Sequence, residues 1–152
     1  RLELAGDDRV RVSEAVGGAA GASTLSSYVL HGNGAASLVS PAVPSGQSAA
    51  CWVVATRNGR YAYVTNTASG NLSTYRLGAN GSASLATAIS AHTGNGSGPT
   101  DMALDADSRF LYVLNSGNAT ISAFRVGAEG ALTLIEHQAS GLGTFATGLA
   151  VR

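Results

Sequence analysis

Whatever chemistry this 152-residue chain performs must be carried by a few carboxylates, guanidinium groups and amides, because other reactive side chains are scarce. All nine basic residues are Arg and none is Lys, which removes amine nucleophiles and Schiff-base chemistry. Cys51 is the single cysteine, set between Ala50 and Trp52 in an apolar run that predicts a buried, inert thiol. One thiol excludes an internal disulfide and a multi-cysteine metal site, and leaves the redox compartment open. His31 and His92 fall in Gly- and Asn-rich loops, and His137 ends an outer strand. None stands at metal-ligand spacing from another His or a carboxylate, so no metal is expected. Asp105 and Asp107 flank a turn but lack the further oxygen ligands of a calcium loop. Among the carboxylates, guanidinium groups and amides that remain are Glu14, Asp101, Arg57, Asn66 and Asn115.

Their positions take meaning from a repeat of about 48 residues. Arg60-Tyr61-Ala62-Tyr63-Val64-Thr65-Asn66 returns as Arg109-Phe110-Leu111-Tyr112-Val113-Leu114-Asn115. Leu25, Leu72 and Ile121 correspond at steps of 47 and 49 residues, as do Tyr28, Tyr75 and Phe124. Gly34, Gly81 and Gly130 follow the same steps, and so do Leu38, Leu85 and Leu134. Aligned on this repeat, Glu14 occupies the slot of Asn66 and Asn115. Asn at a strand end before a Gly- or Ser-containing turn predicts turn-forming hydrogen bonds. Asp101 opens a strand, where it suits either a polar ligand or a turn-capping and Arg-pairing role. Arg60 and Arg109 recur and so share a structural task. Arg57 does not recur, and beside a loop it is either an anion ligand or plain surface.

Each period holds four β-like runs. The fullest set is 102–105, 110–115, 120–126 and 131–137, with turns at 106–108, 116–118 and 127–130. The preceding set is 51–56, 61–66, 72–77 and 84–89, and an irregular first set runs through 2–4, 10–14, 24–30 and 36–40. In 121–126 and 72–77 apolar residues alternate with polar ones, predicting strands with one buried face. Residues 61–64 and 110–114 are nearly continuous apolar runs, which predicts strands covered on both faces. No helical stripe is present; 14–22 is rich in Gly and Ala but has neither caps nor a face.

Four antiparallel strands repeated at this period predict an all-β fold, a β-propeller. The expected blades are 1–45, 46–93 and 94–140, with 141–152 supplying the first strand of a closing blade through 146–151. Three blades and a strand cannot close a ring. The chain also opens at Arg1 without an initiator Met. The expectation is therefore the C-terminal half of a larger propeller, closed by the remaining half or by copies of itself.

Composition narrows the partners. Apolar residues make up 45% and charged residues 12%, which describes a globular chain. The formal net charge is zero, giving no electrostatic footprint for nucleic acid or an anionic membrane surface. No run approaches the roughly 20 apolar residues of a membrane helix. The compartment stays unassigned, and the four Asn-x-Ser/Thr sequons are matches that a chain this rich in Asn, Gly, Ser and Thr produces by chance.

Tyr63-Val64-Thr65-Asn66, the phrase from Cys51-Trp52 up to it, and Gly98-Pro99-Thr100-Asp101-Met102-Ala103-Leu104 followed by 109–115 carry a family resemblance. So does the ending Gly148-Leu149-Ala150-Val151-Arg152. Together they resemble the seven-bladed β-propeller lactonases of the YVTN-repeat type, which include 6-phosphogluconolactonases and 3-carboxymuconate cyclases. The resemblance runs from about residue 10 to the end. It implies a hydrolase that opens a small sugar or carboxymuconate-type lactone without a cofactor, using a His, a Glu and Arg residues around the pore. The family Glu ends the second strand of a blade in the slot of the YVTN Asn, which makes Glu14 the catalytic candidate, with a solvated strand-end carboxylate as the alternative. Asp101, Arg57, Asn66 and Asn115 are the substrate-binding candidates. The family's Pro-Arg-His phrase has no counterpart here; the corresponding place reads Pro99-Thr100-Asp101. The alternative function is a non-catalytic propeller that binds or scaffolds partner chains through polar loops such as Gly94-Asn95-Gly96-Ser97-Gly98.

Overall fold

The computed structural model describes residues 2–5, 8–139, 141–143 and 146–151, and within them twelve strands form three four-stranded antiparallel sheets. The first sheet holds β1 (Leu2–Ala5), β2 (Arg9–Glu14), β3 (Thr24–Leu30) and β4 (Ala36–Pro44). The second holds β5 (Ala50–Ala55), β6 (Tyr61–Asn66), β7 (Asn71–Leu77) and β8 (Ala83–His92). The third holds β9 (Pro99–Leu104), β10 (Phe110–Asn115), β11 (Thr120–Val126) and β12 (Leu132–Ala139). Each sheet is a meander in chain order, as a propeller blade is. The first strands β1, β5 and β9 lie beside one another on the inside. The last strands β4, β8 and β12 form the outer rim. Among the described residues there is no α-helix, only 3-10 turns at Val16–Gly18 and Ala128–Gly130.

The second strands are where the sequence specifies most. In β6, Ala62 and Val64 face the first blade and pack with Leu25, Val53 and Tyr75. On its other face Tyr63 packs with Leu72, Met102, Leu111, Val113 and Phe124 of the second and third blades. All six residues of β6 are buried. Burial raises the phenols of Tyr63 and Tyr75 to about 12, with the neighbouring Tyr61 adding to the effect on Tyr63. Their hydroxyls donate across blade boundaries, Tyr63 to the Gly130 carbonyl (3.2 Å) and Tyr75 to the Val43 carbonyl (3.1 Å).

The equivalent β10 departs from the expectation of two covered faces. Leu111 and Val113, turned toward the second blade, are buried, whereas Phe110 and Tyr112 on the opposite face are only half-buried. A strand is sealed on both sides only where a blade lies on both sides. The first blade shows the mirror case. Its Val12, Glu14 and Tyr28 point away from the second blade and are half-buried, while their counterparts Val64, Asn66 and Tyr75 are buried.

Two further differences from the sequence expectation have local causes. The outer strands run longer than expected, to Pro44, His92 and Ala139, because each third-to-fourth strand pairing contains register shifts that absorb extra residues. The strand expected over 146–151 is not formed: a first strand pairs with the second strand of its own blade, and among the described residues no such strand lies beside it. The segment nevertheless lies where a fourth inner strand would start. Ser116 Oγ donates to the Ala146 carbonyl (2.8 Å), just as Thr67 Oγ1 one blade earlier donates to the carbonyl of Pro99, the first residue of β9 (2.7 Å).

Candidate functional site

The slot shared by Glu14, Asn66 and Asn115 is one structural position. Each ends a second strand and pairs with the first residue of the third, Thr24, Asn71 and Thr120 respectively. Asn66 Nδ2 donates to Asn71 Oδ1 (3.0 Å) and Ser73 Oγ (2.8 Å). Asn115 Nδ2 donates to Thr120 Oγ1 (2.9 Å), Ser122 Oγ (2.7 Å) and the Thr93 carbonyl (3.4 Å). Both amides are fully buried, and both leave Oδ1 buried without a hydrogen-bond partner. Glu14 inverts this pattern. Its carboxylate accepts hydrogen bonds from the two homologous hydroxyls, Thr24 Oγ1 and Ser26 Oγ (2.9 Å for the latter). It is half-buried, because the face it occupies carries no preceding blade among the described residues. The slot thus holds an amide donor twice and a carboxylate acceptor once.

Around Glu14 the chain breaks its own pattern a second time. The connection 15–23 after Glu14 is more than twice as long as its equivalents 67–70 and 116–119. Within it Val16 adopts φ +48° and is 56% exposed. A β-branched residue in the left-handed region is strained, and such strain gathers where a loop serves a ligand.

Asp101 is the third residue of β9 and only 2% exposed. Its Oδ1 accepts from its own neighbour's amide, Met102 N (2.7 Å), and its Oδ2 from Leu149 N (2.8 Å). The carboxylate therefore ties the 146–151 segment to the third blade. Strand directions put Glu14, Asn66 and Asn115 at one end of the blades, the end where β5 and β9 start. Asp101 and Asn115 lie near each other, since Asp101 pairs with Leu114. Arg57 is at the opposite end. It is exposed, its amide donates to Ser108 Oγ (2.9 Å), and its guanidinium meets the Ala106 carbonyl (3.4 Å) and Asp107 Oδ1 (3.5 Å). Glu14 and Arg57 are thus at opposite ends of the molecule.

Three features escaped the sequence. Arg11, in the slot of Tyr63 and Tyr112, is a fully buried arginine, visible in sequence only as an Arg where the other repeats have Tyr. Ser122 Oγ lies 2.8 Å from His137 Nδ1, a Ser–His contact with no spacing signal because it spans two strands. Ser122 is completely buried, so no substrate carbonyl can reach it. Cys51 is half-buried rather than buried. The third feature is a contact between blades. The Tyr61 hydroxyl donates to Glu129 (2.8 Å), Arg76 pairs with the same carboxylate (2.9 Å) and Arg60 adds a longer contact (3.5 Å). The Tyr61 hydroxyl first, then Arg76, hold the Glu129 carboxyl below the usual carboxylate range. Among the described residues no three His, Cys, Asp or Glu side chains gather as metal ligands would.

The chain is an arc of propeller blades, and solved structures of the same fold include lactone hydrolases. A periplasmic gluconolactonase from Pseudomonas aeruginosa superposes with a TM-score of 0.71 at 18% identity, over 95% of this chain and 43% of its own. A candidate 6-phosphogluconolactonase from Bacteroides uniformis gives 0.66 at 19% identity, over 86% and 40%. A protein of unknown function from Desulfotomaculum acetoxidans gives 0.73 at 16% identity, over 90% and 40%. The chain spans about two fifths of the length of each of these structures. No family model and no curated protein matches the sequence.

Proposed function

We propose that this chain is part of a seven-bladed, lactonase-like hydrolase of the YVTN-repeat type, its three blades and the 146–151 segment belonging to the C-terminal side of the ring, and that Glu14 is its catalytic carboxylate. The observation that carries the reading is the exchange of a buried Asn for a half-buried Glu at one of three equivalent positions, beside the enlarged and strained loop 15–23. Ring-opening of a lactone needs a base that takes a proton from the attacking water and donors that stabilise the oxyanion formed on the carbonyl. Glu14, its carboxylate oriented by hydrogen bonds from Thr24 and Ser26, suits the first task. Arg donors for the second would come from blades that complete the ring. Asp101 and Asn115 share that end of the blades and would order the floor of the site, whereas Arg57 at the other end would take no part. The lactone would be a small sugar or carboxymuconate-type ester. Fold alone does not fix the reaction, so the test is direct. In a polypeptide that carries this chain in a closed ring, glucono-δ-lactone opening followed by acid release should fall on the order of 100-fold in Glu14→Gln. Unchanged turnover would remove the enzyme reading.

A second reading rests on one observation. At the same end, loops 67–70 and 94–98 with His92 enclose a shallow polar groove of about 360 Å³ lined by Gly, Ser and Asn. Such a surface suits a non-catalytic propeller that presents its loops to a partner.

A further inference from the structure

Four asparagines in this chain stand directly before a glycine: Asn33, Asn58, Asn80 and Asn95. An Asn–Gly pair rearranges without an enzyme. The glycine nitrogen, on losing its proton, attacks the side-chain Cγ; the new C–N bond closes a succinimide ring, and the side-chain nitrogen leaves as ammonia. Water then opens the ring at either carbonyl and gives aspartate or isoaspartate, with no oxidant or reductant involved. Glycine favours the attack because no side chain crowds its nitrogen. All four asparagines are exposed, so access to water does not distinguish them.

Hydrogen bonding does. In three of the pairs both reacting groups are occupied. Asn33 Oδ1 accepts from Ala35 N (3.0 Å), while Gly34 N donates to the His31 carbonyl (2.8 Å). Asn58 Oδ1 accepts from Arg60 N (3.0 Å) and Thr56 Oγ1 (2.7 Å), and Gly59 N donates to the Thr56 carbonyl (2.8 Å). Asn80 Oδ1 accepts from Ser82 N (3.0 Å), and Gly81 N donates to the Gly78 carbonyl (2.9 Å). Each side chain is pinned to the residue two positions on, and each glycine proton is held. Attack must first break both bonds. Asn95 departs from this pattern. Among the described residues neither its side chain nor the Gly96 N–H makes a hydrogen bond. What is held is the carbonyl of the peptide group between them, which accepts from Asn118 Nδ2 (3.2 Å). A donor on that carbonyl draws electron density from the same peptide group and makes the Gly96 N–H more acidic.

We propose that Asn95 is a site of spontaneous modification in this protein, converting to aspartate and isoaspartate while the fold protects Asn33, Asn58 and Asn80. Loop 94–98 lines the groove of about 360 Å³, whose lining holds one ionisable side chain, His92, and no carboxylate. Each conversion places a negative charge there, on a chain whose formal net charge is zero. The isoaspartate form also lengthens the main chain by a methylene group. That change falls where the loop is closely packed: a Cβ on Gly117 would run into the Gly96 carbonyl, and Gly117 N donates to the Ser97 carbonyl (2.9 Å). The groove therefore changes its charge and its shape with the age of the molecule. This proposal stands independently of the lactonase reading, and of whether the groove receives a partner.

The test is incubation of the polypeptide that carries this chain in mildly alkaline buffer, both folded and in concentrated urea. Peptide mapping with fragment sequencing reads the exchange of amide for acid at each asparagine. In the folded protein, conversion at Asn95 should outrun that at each of the other three at least roughly tenfold, the effect of having no hydrogen bonds to break. In urea the four should convert at comparable rates, because only the shared Asn–Gly sequence then acts. Ion exchange should show a more acidic form accumulating in step with Asn95, and Asn95→Gln, whose longer side chain closes a ring far more slowly, should remove that form. Asn95 is exposed and its side chain makes no hydrogen bond, so the variant keeps the parent fold. Conversion of Asn33, Asn58 or Asn80 in the folded protein as fast as Asn95 would overturn the proposal. So would an Asn95 that stays an amide in the folded protein while converting in urea.

Discussion

Replacing Gly130 with Ala should cost the chain about 2–5 kcal/mol, and the structure divides the loss into two parts. Gly130 has φ +75°, where an L-residue is disfavoured by roughly 1–2 kcal/mol. The new methyl would also stand 2.7 Å from Tyr61 Cδ1, 2.8 Å from Cγ and 3.2 Å from Thr74 Cγ2. Tyr61 is buried and held at its hydroxyl by Glu129, so the ring cannot retreat freely. Overpacking of a tight site adds about 1–3 kcal/mol. Gly34 is the internal control: φ is +82° but nothing lies within 4 Å, so Gly34→Ala should lose only the backbone share, about 1–2 kcal/mol. Gly81→Ala should fall between them, its Cβ meeting Val29 Cγ2 at 3.2 Å. Urea unfolding reads the series through the fluorescence of Trp52, which packs against the core between the second and third blades. Equal losses at Gly34 and Gly130 would refute the account, because they would leave only backbone strain and no close contact with Tyr61.

Other expectations follow from the same contacts. Tyr63→Phe removes the donor to the buried Gly130 carbonyl and should cost about 1–2 kcal/mol in urea unfolding. Tyr63 and Tyr75 have phenols raised to about 12 in the fold against about 10 when unfolded. Their contribution is complete below about pH 10 and is lost as pH rises toward 12, so alkaline unfolding followed by circular dichroism should shift upward in Tyr63→Phe. Glu129 has the opposite sign. Its lowered carboxyl contributes above the ordinary carboxylate range and is lost as pH falls through its folded value, so Glu129→Gln should flatten the acid limb of the stability curve. Asn115→Ala removes an amide that donates to Thr120, Ser122 and the Thr93 carbonyl, and should cost roughly 2–4 kcal/mol by thermal or urea unfolding.

The sequence shows the strands best where side chains and period agree. Phe110-Leu111-Tyr112-Val113-Leu114-Asn115 and its counterpart at 61–66 begin and end where expected, because aromatic and β-branched residues stop at an Asn that bonds the next strand. The outer strands extend beyond their alternating residues, since residues such as Ala42, at φ +39°, sit in bulges that break alternation and look like turns in sequence. The covering of Phe110 and Tyr112 could not be read from their own apolarity. It depends on a neighbour, and equivalent, similarly apolar strings give a sealed β6 and a half-open β10. The exchange of Asn for Glu at position 14 was legible because the repeat supplies two controls within one chain. The Ser122–His137 contact was not, since cross-strand partners depend on register, and the bulge between Ala123 and Phe124 sets that register.

The contacts between neighbouring blades also determine how the fold comes apart. Each blade touches only its neighbours, so stability is a sum of blade terms and nearest-neighbour interface terms, as in a linear array of units. The central blade holds two such interfaces and each terminal blade one. Opening should therefore proceed inward from both ends, with amide protons of β6 and β7 the last to exchange and those of β2 and β10 earlier. Closing the arc would make every blade central, and its chief effect would then be to convert gradual fraying into a single cooperative transition.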